Sequence, residues 1–362
     1  MGAIFGVIFH FIGGFASGSF YIPFKKVKGW AWETYWLIGG IFSWLIVPPL
    51  AAWLTIPDFW SIIAGADSAV ITLAFIFGLL WGVGGFTYGL GVRYLGVALG
   101  SSVILGLCMV FGSLLPSVYY EFYPQAGKDG IGAIVSSAWG QMVLLGLLIC
   151  VIGIAICGKA GVMKERQLSA AGTDPHGVVV KTEYKFALGL TVSIISGVLS
   201  ACFNFGLEAG KPMADIANEV WKAANPGQGE FLFQNNVTYV VVLWGGLLSN
   251  LIGCLFLAIK NKTLSDYTKP NVPVLSNIIF CALAGTTWFL QFFFYGMGES
   301  RMGNGPSSWI LHMAFIIFIA NLWGVILKEW KGVNSKTVAT ISLGILAILL
   351  SVLVVGYGNS LK

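Results

Sequence analysis

Trp81-x4-Phe86-x-Tyr88-Gly89-Leu90-Gly91-x4-Gly96 returns as Trp288-x4-Phe293-x-Tyr295-Gly296-Met297-Gly298-x4-Gly303, one apolar segment read twice at a separation of 207 residues. Of 362 residues, 57% are hydrophobic and 10% charged, with 48 Gly and 14 Trp, a balance that a water-soluble globule cannot bury. The chain therefore reads as an all-α polytopic membrane protein. Ten apolar runs, each roughly 19 to 24 residues long and so able to cross a bilayer, begin near Ile4, Thr34, Ala69, Val97, Trp139, Phe186, Thr238, Val274, Trp309 and Val338. No basic segment precedes the first run and no small-residue cleavage site closes it, so it is expected to be a retained helix and not a signal peptide. A duplicated unit of five helices has an odd number of spans, which forces its two copies into opposite orientations. The expected architecture is two inverted five-helix repeats, residues 1–160 and 186–362, joined by a cytoplasmic linker at 161–185. Repeats of this kind build the midplane binding sites of secondary transporters.

Charge placement gives the orientation. The loops after the odd-numbered runs hold fifteen of the 20 basic residues, among them Lys25, Lys26, Lys28, Arg93, Lys164, Lys181, Lys262, Lys328 and Lys336. The even-numbered loops hold only Lys128, Lys211, Lys222 and Arg301, so both termini are expected outside the cytoplasm. The net charge of +5 follows from this topology; the basic residues form no single surface for nucleic acid. His176, in the linker, is expected to be solvated and without a chemical role.

All six cysteines fall in apolar runs, without Cys-x2-Cys or His-x3–5-His spacing, and are expected to pack as small hydrophobes. Gly153–Ala160, GIAICGKA, approaches a phosphate-binding loop, but Ala160 stands where the Ser or Thr is required and the stretch ends an apolar helix. No metal or cofactor site and no ATPase signature is expected, so uphill transport would have to draw on an ion gradient. Nothing resembles an enzyme: the spans lack Gly-x-Ser-x-Gly, His-Glu-x2-His and a carboxylate pair.

The halves also match in polar pattern. His10, Gly14, Ser17 and Tyr21 in the first run share their spacing with Ser193, Gly197, Ser200 and Asn204 in the sixth, and both sets fall on one helix face. Polar stripes are disfavoured against lipid, so both are expected to face the protein interior or a wet cavity. Close packing of small residues accounts equally well for the glycines, but the side chains of His10, Tyr21 and Asn204 need hydrogen-bonding partners.

His10 and His312 are the ionisable residues within the runs, and Glu208 lies at the end of the sixth. A charge at bilayer centre costs about 2.5 to 3.5 kcal/mol on insertion scales, whereas a histidine can stay neutral and still exchange a proton near physiological pH. His10 and His312 are thus proton-coupling candidates, with Glu33 and Glu208 next; neutral imidazoles bonded to backbone or hydroxyl groups are the structural alternative. For a substrate, Trp288, Gln291 and Tyr295 share one face of the eighth run, and Trp81 and Tyr88 repeat its outer positions in the third. Flat aromatic walls with a few polar groups suit a pyranose. The substrate-binding candidates are Tyr21, Trp81, Tyr88, Asn204, Trp288, Gln291, Tyr295 and Trp309.

Further stretches carry a family likeness: Phe20–Lys28 (FYIPFKKVK), Trp32-Glu33-Thr34, Arg93-Tyr94-Leu95-Gly96, Lys164-Glu165-Arg166, Lys211-Pro212-Met213, Leu290–Tyr295, Ser308–Met313 and Leu327-Lys328-Glu329-Trp330. With these, the chain resembles the L-rhamnose/proton symporter family nearly end to end. The resemblance implies the drug/metabolite transporter superfamily, ten helices in two inverted repeats, and uptake of L-rhamnose, with L-lyxose or related sugars, together with a proton across a bacterial inner membrane. The partners it implies are the sugar, the proton and the lipid bilayer. Ala214–Asn236 and Glu299–Pro306 depart from the family pattern. A proton-coupled drug or metabolite exporter on the same scaffold is the alternative, which an acidic residue deep in the first run would favour over His10.

Overall fold

A computed structural model describes residues 2–95, 97–125, 127–170, 185–326 and 330–362. Gly96, most of the linker including His176 and Lys181, and Leu327-Lys328-Glu329 lie outside the described residues. Among those described, ten segments are long and apolar enough to cross a membrane, from Ile4–Phe24 to Ser335–Ser360. Two compact units share them.

The first unit comprises residues 84–201 and 304–362. It holds the second half of α6 (Ser68–Leu95), α7 (Val97–Phe122), the short α8 (Ile131–Ser136), α9 (Ala138–Ala170), the first part of α10 (Phe186–Ala209), α14 (Gly305–Ile326) and α15 (Ser335–Ser360). Lipid tails are as apolar as leucine, so these helices gain little from burial alone and rely on close packing. Glycines supply it: a Cβ on Gly153 would lie 3.1 Å from the Gly344 carbonyl oxygen, and Gly358 of α15 meets α9 in the same way at Met142 and Trp139. One end of the α9–α15 pair is tied by polar bonds. Gln167 Nε2 donates to Thr337 Oγ1 at 2.8 Å, and the Asn334 N–H donates to Gln167 Oε1 at 2.8 Å. Asn334 also caps α15 by accepting from the Thr337 N–H.

The second unit comprises residues 2–83 and 202–303. It contains α1 (Gly2–Ser19), α2 (Tyr21–Phe24), α3 (Trp32–Gly40), a π-helical turn at Ile41–Ile46, α4 (Val47–Thr55), α5 (Phe59–Gly65), the rest of α6 and α10, α11 (Lys211–Ala224), α12 (Asn236–Asn261) and α13 (Val274–Met302). The π turn has a local cause. Pro48 and Pro49 follow it, and in a regular helix their rings would strike the carbonyls of Trp44 and Leu45; a wider turn relieves both.

A polar clamp fixes the start of α3 against the α12–α13 loop. The fully buried Asp266 accepts from the Ala31 N–H at 2.7 Å, Thr34 Oγ1 at 2.9 Å and Lys269 Nζ at 2.5 Å, while Trp30 Nε1 donates to its carbonyl. Burial acts to raise the Asp266 pKa, but the Ala31 N–H, Lys269 and Thr34 outweigh it and hold the carboxyl below its ordinary value. Alongside, Asn277 both accepts from the Lys28 N–H and donates to the Lys28 carbonyl.

Positions matched by the sequence repeat make matched contacts. In the second unit, a Cβ on Gly298 would lie 2.7 Å from the His10 ring; in the first, a Cβ on Gly91 would lie 2.5 Å from Ser193 Oγ. Gly285 and Gly78, also 207 residues apart, each press their backbone onto a carbonyl, of Gly39 and Val242 respectively. All six cysteines are buried, as their apolar runs lead one to expect.

Candidate functional site

Nine of the twelve candidate residues fall in the second unit, and Tyr88, Trp309 and His312 fall in the first. In the second unit, His10 is fully buried on α1. It is there because α1 runs antiparallel along α13, where Gly298 has no side chain to displace the imidazole, and a Tyr295 ring packs beside it at 5.4 Å. Ser17 and Gly14 are buried on the same face, as the stripe requires. Tyr21 is not: it is 40% exposed, its hydroxyl 3.2 Å from that of Tyr35. It lies beyond the end of α1 at Ser19, to whose carbonyl Pro23 cannot donate, in the short α2 that follows. The matching stripe on α10 has no such proline, and both Ser193 and Asn204 are buried.

Trp81 and Trp288 come together but not as opposed walls. Their ring centroids lie 5.6 Å apart at 31°, a direct aromatic contact, and Trp44 abuts both edge-on at 6.2 and 5.7 Å. Phe292 and Phe203 extend the cluster, stacked at 4.1 Å. A pyranose does not fit between rings in contact; beside Trp288, bounded by Trp36, Ser43 and Trp44, is a void of only about 10 Å³, room for one water. Two donors at this cluster are buried without an acceptor among the described residues, Trp44 Nε1 and Gln291 Nε2. Such a group costs about 1 to 3 kcal/mol, which a bound water or ligand hydroxyl would offset.

Glu33 is committed elsewhere. Its Oε1 accepts from Asn261 Nδ2 at 3.0 Å and Thr263 Oγ1 at 2.8 Å, beside the Asp266 clamp. Glu208 is half-buried on α10 in a charged group with Lys211, Glu299, Asp215 and Glu230. Burial works to lower the Lys211 pKa, but these carboxylates, Glu299 foremost, hold it above its usual value.

Glu299 is the residue that sequence reading passed over. It stands one turn beyond Tyr295 and next to Gly298, and its Oε2 accepts from Asn235 Nδ2 at 2.5 Å. A signal existed: the position 207 residues earlier is Val92, so the second copy of the repeat carries a carboxylate where the first has an aliphatic side chain.

In the first unit, His312 is 2% exposed and lies two turns into α14, deeper than the apolar run indicated because the helix starts at Gly305. The Trp309 indole packs on Gly112 and donates to the Cys108 carbonyl at 3.2 Å, so its polar edge joins α14 to α7. The Tyr88 hydroxyl donates to Ser101 Oγ at 2.6 Å.

The family model described as L-rhamnose-proton symport protein matches residues 1–361. Among individual relatives, the L-rhamnose-proton symporter of Cronobacter sakazakii is 36% identical over 358 residues, covering 98% of this chain and 97% of the relative. That of Pectobacterium carotovorum subsp. carotovorum is 36% identical over 361 residues, covering 98% of each. The one from Yersinia pestis is 35% identical over 361 residues, again covering 98% of each. With ten membrane-length apolar segments among the described residues and a likeness that runs end to end, the chain belongs to the L-rhamnose-proton symport protein family.

Proposed function

We propose that this protein imports L-rhamnose, and L-lyxose or related sugars, together with a proton across a bacterial inner membrane. The full-length likeness to proteins named L-rhamnose-proton symporters carries the reading. Those relatives lend no support to the exporter alternative. Both termini face the periplasm, because the basic loops crowd the opposite side, and residues 1–160 and 186–362 form inverted repeats joined at 161–185. The paired contacts His10–Gly298 and Ser193–Gly91 support that duplication.

Within the second unit, His10 carries the proton. Its imidazole is buried, held between Gly298 and Tyr295, and histidine is a side chain that takes up and releases a proton without covalent chemistry. His312, Glu33 and Glu208 remain lesser candidates, Glu33 weakest because its hydrogen bonds serve the α3 clamp. Gln291 and the Trp44 indole offer donors to sugar hydroxyls, and the edges of Trp81 and Trp288 supply apolar surface once the cluster opens. Tyr295 positions the imidazole, while Asn204 and Tyr88 present polar groups from α10 and α6. Tyr21 and Trp309 contribute less directly, being exposed and bonded to backbone respectively.

Uptake into proteoliposomes tests the reading. With the interior alkaline, labelled L-rhamnose should accumulate above its external concentration, and an uncoupler should abolish the accumulation. Each charge crossing 100 mV supplies about 2.3 kcal/mol, enough for roughly 50-fold accumulation. Equal uptake with and without uncoupler would leave facilitated diffusion only.

A further inference from the structure

The first unit contains a cavity of about 280 Å³ between α7, α9 and α14. That volume is close to the lower bound of roughly 300 Å³ for small-molecule sites, room for one pyranose ring. Its lining is two-sided. Tyr88, Ser101, Ser102 and Asn321 bring neutral hydrogen-bonding groups, and Leu105, Ile154 and Ile316 bring aliphatic surface. Local bonds already fix the polar groups. Tyr88 donates to Ser101 Oγ, which leaves the serine hydroxyl proton to donate onward; Asn321 Nδ2 donates to the Ile317 carbonyl at 2.8 Å, which leaves the amide oxygen as an acceptor.

Charge excludes other ligands. Lys164, only 5% exposed, places its ammonium 4.9 Å from the centre of the Trp330 ring, and Glu165 lines the same space. A phosphate or carboxylate drawn by Lys164 would meet Glu165, and a cation would meet the reverse. A neutral polyol meets neither penalty. An aliphatic patch beside hydroxyl-binding groups also matches a sugar that has a methyl group in place of one hydroxymethyl, as a 6-deoxyhexose does.

We propose that this cavity is a second sugar-binding station, which holds the neutral 6-deoxyhexose at the cytoplasmic end of its path before release. The inference rests on the proposed uptake of L-rhamnose and on the topology that puts Lys164 at the cytoplasmic side. Asn321 and Ser102 are its hydroxyl-recognising groups, and Trp330, held by Lys164, closes it.

Right-side-out and inside-out vesicles test this by giving the half-saturating L-rhamnose concentration for flux from each face without an ion gradient. Asn321→Ala and Ser102→Ala, made separately, should each raise the value for the cytoplasmic face about 5- to 10-fold, the effect of one lost hydrogen bond, and leave the periplasmic value within about twofold. Flux from the periplasmic face also shows that each variant is folded. Equal shifts on both faces, or none on either, would overturn the station, the second result being also what a lipid headgroup in the cavity would give. Failure of the unaltered protein to move L-rhamnose from either face would overturn the uptake reading itself, an outcome distinguishable before any variant is measured.

Discussion

Replacing Gly298 by Ala probes the proposed proton site without touching an ionisable group. The new methyl would sit 2.7 Å from the His10 Cε1 and Nε2 atoms, well inside contact distance of a fully buried ring. Overpacking of a filled interior costs about 1 to 3 kcal/mol, so the present imidazole placement should become roughly 5- to 150-fold less populated relative to displaced ones. Gly91→Ala is the internal control: it makes the same change at the matched position, but meets Ser193 Oγ at 2.5 Å and the Ile104 Cδ1 methyl at 3.0 Å, neither of them ionisable. Proteoliposomes carrying each variant are compared for L-rhamnose accumulation under a pH gradient and for exchange at equal concentrations. Gly298→Ala should lose most of its accumulation while retaining exchange, and Gly91→Ala should resemble the unaltered protein in both. Full accumulation by Gly298→Ala, or equal losses from the two variants, would refute the view that the position of His10 governs coupling.

His10→Gln should likewise abolish uphill accumulation while sparing exchange, since an amide hydrogen-bonds but does not cycle a proton; normal accumulation by this variant and by His312→Gln would move the proton to another group. Gln291→Ala should weaken L-rhamnose binding several-fold with or without a gradient, which equilibrium exchange measures directly. Asp266→Asn should lower the thermal stability of the purified protein by about 1.5 to 3 kcal/mol at neutral pH. Because the folded-state pKa of Asp266 lies below its usual value, its stabilisation is complete above about pH 3.9 and is lost as pH falls through the lower folded value, so the difference between the two proteins should close there; a gap that persists would disprove the charge-based account. Reporters fused near Lys164 or Lys262 should register as cytoplasmic and those near Gly2 or Asn225 as periplasmic, and the reverse pattern would invert the topology.

The spans were legible because crossing a bilayer demands a length of apolar residues that few other structures need. Their ends were less so. α14 begins at Gly305, before the run at Trp309, because Asn304 accepts from the Ser307 N–H and polar residues can occupy a first helical turn. The short α2, α5 and α8 carry too few turns for periodicity to show. His10, Ser17, Ser193 and Asn204 were placed correctly by their spacing, since a stripe on one face has to turn inward, whereas Tyr21 lies beyond the end of α1 at Ser19 and is exposed. Trp81 and Trp288 were readable as partners of one repeat, but their direct contact comes with side-chain packing from Trp44, Phe203 and Phe292, which no linear pattern records. Glu299 escaped because α13 extends to Met302, past the length of a typical run, so the carboxylate fell beyond the expected span.

The π-helical turn at Ile41–Ile46 has a consequence for how this family can vary in length. Such a turn is an α-helix that has taken in one surplus residue while the segments on either side keep their original facing. In any other span, deleting one residue would swing everything beyond it by about 100° around the helix axis and present buried groups to lipid. Here the deletion would remove only the surplus, so Glu33 and Thr34 on one side and Ala51 and Ala52 on the other would keep their buried faces. The proline pair at 48 and 49 resists that shortening, because a regular turn would restore the clash it relieves. Loss of a residue between 41 and 46 should therefore be tolerated in relatives only where one or both prolines have also gone, a coupled change that length variation in this span can be searched for.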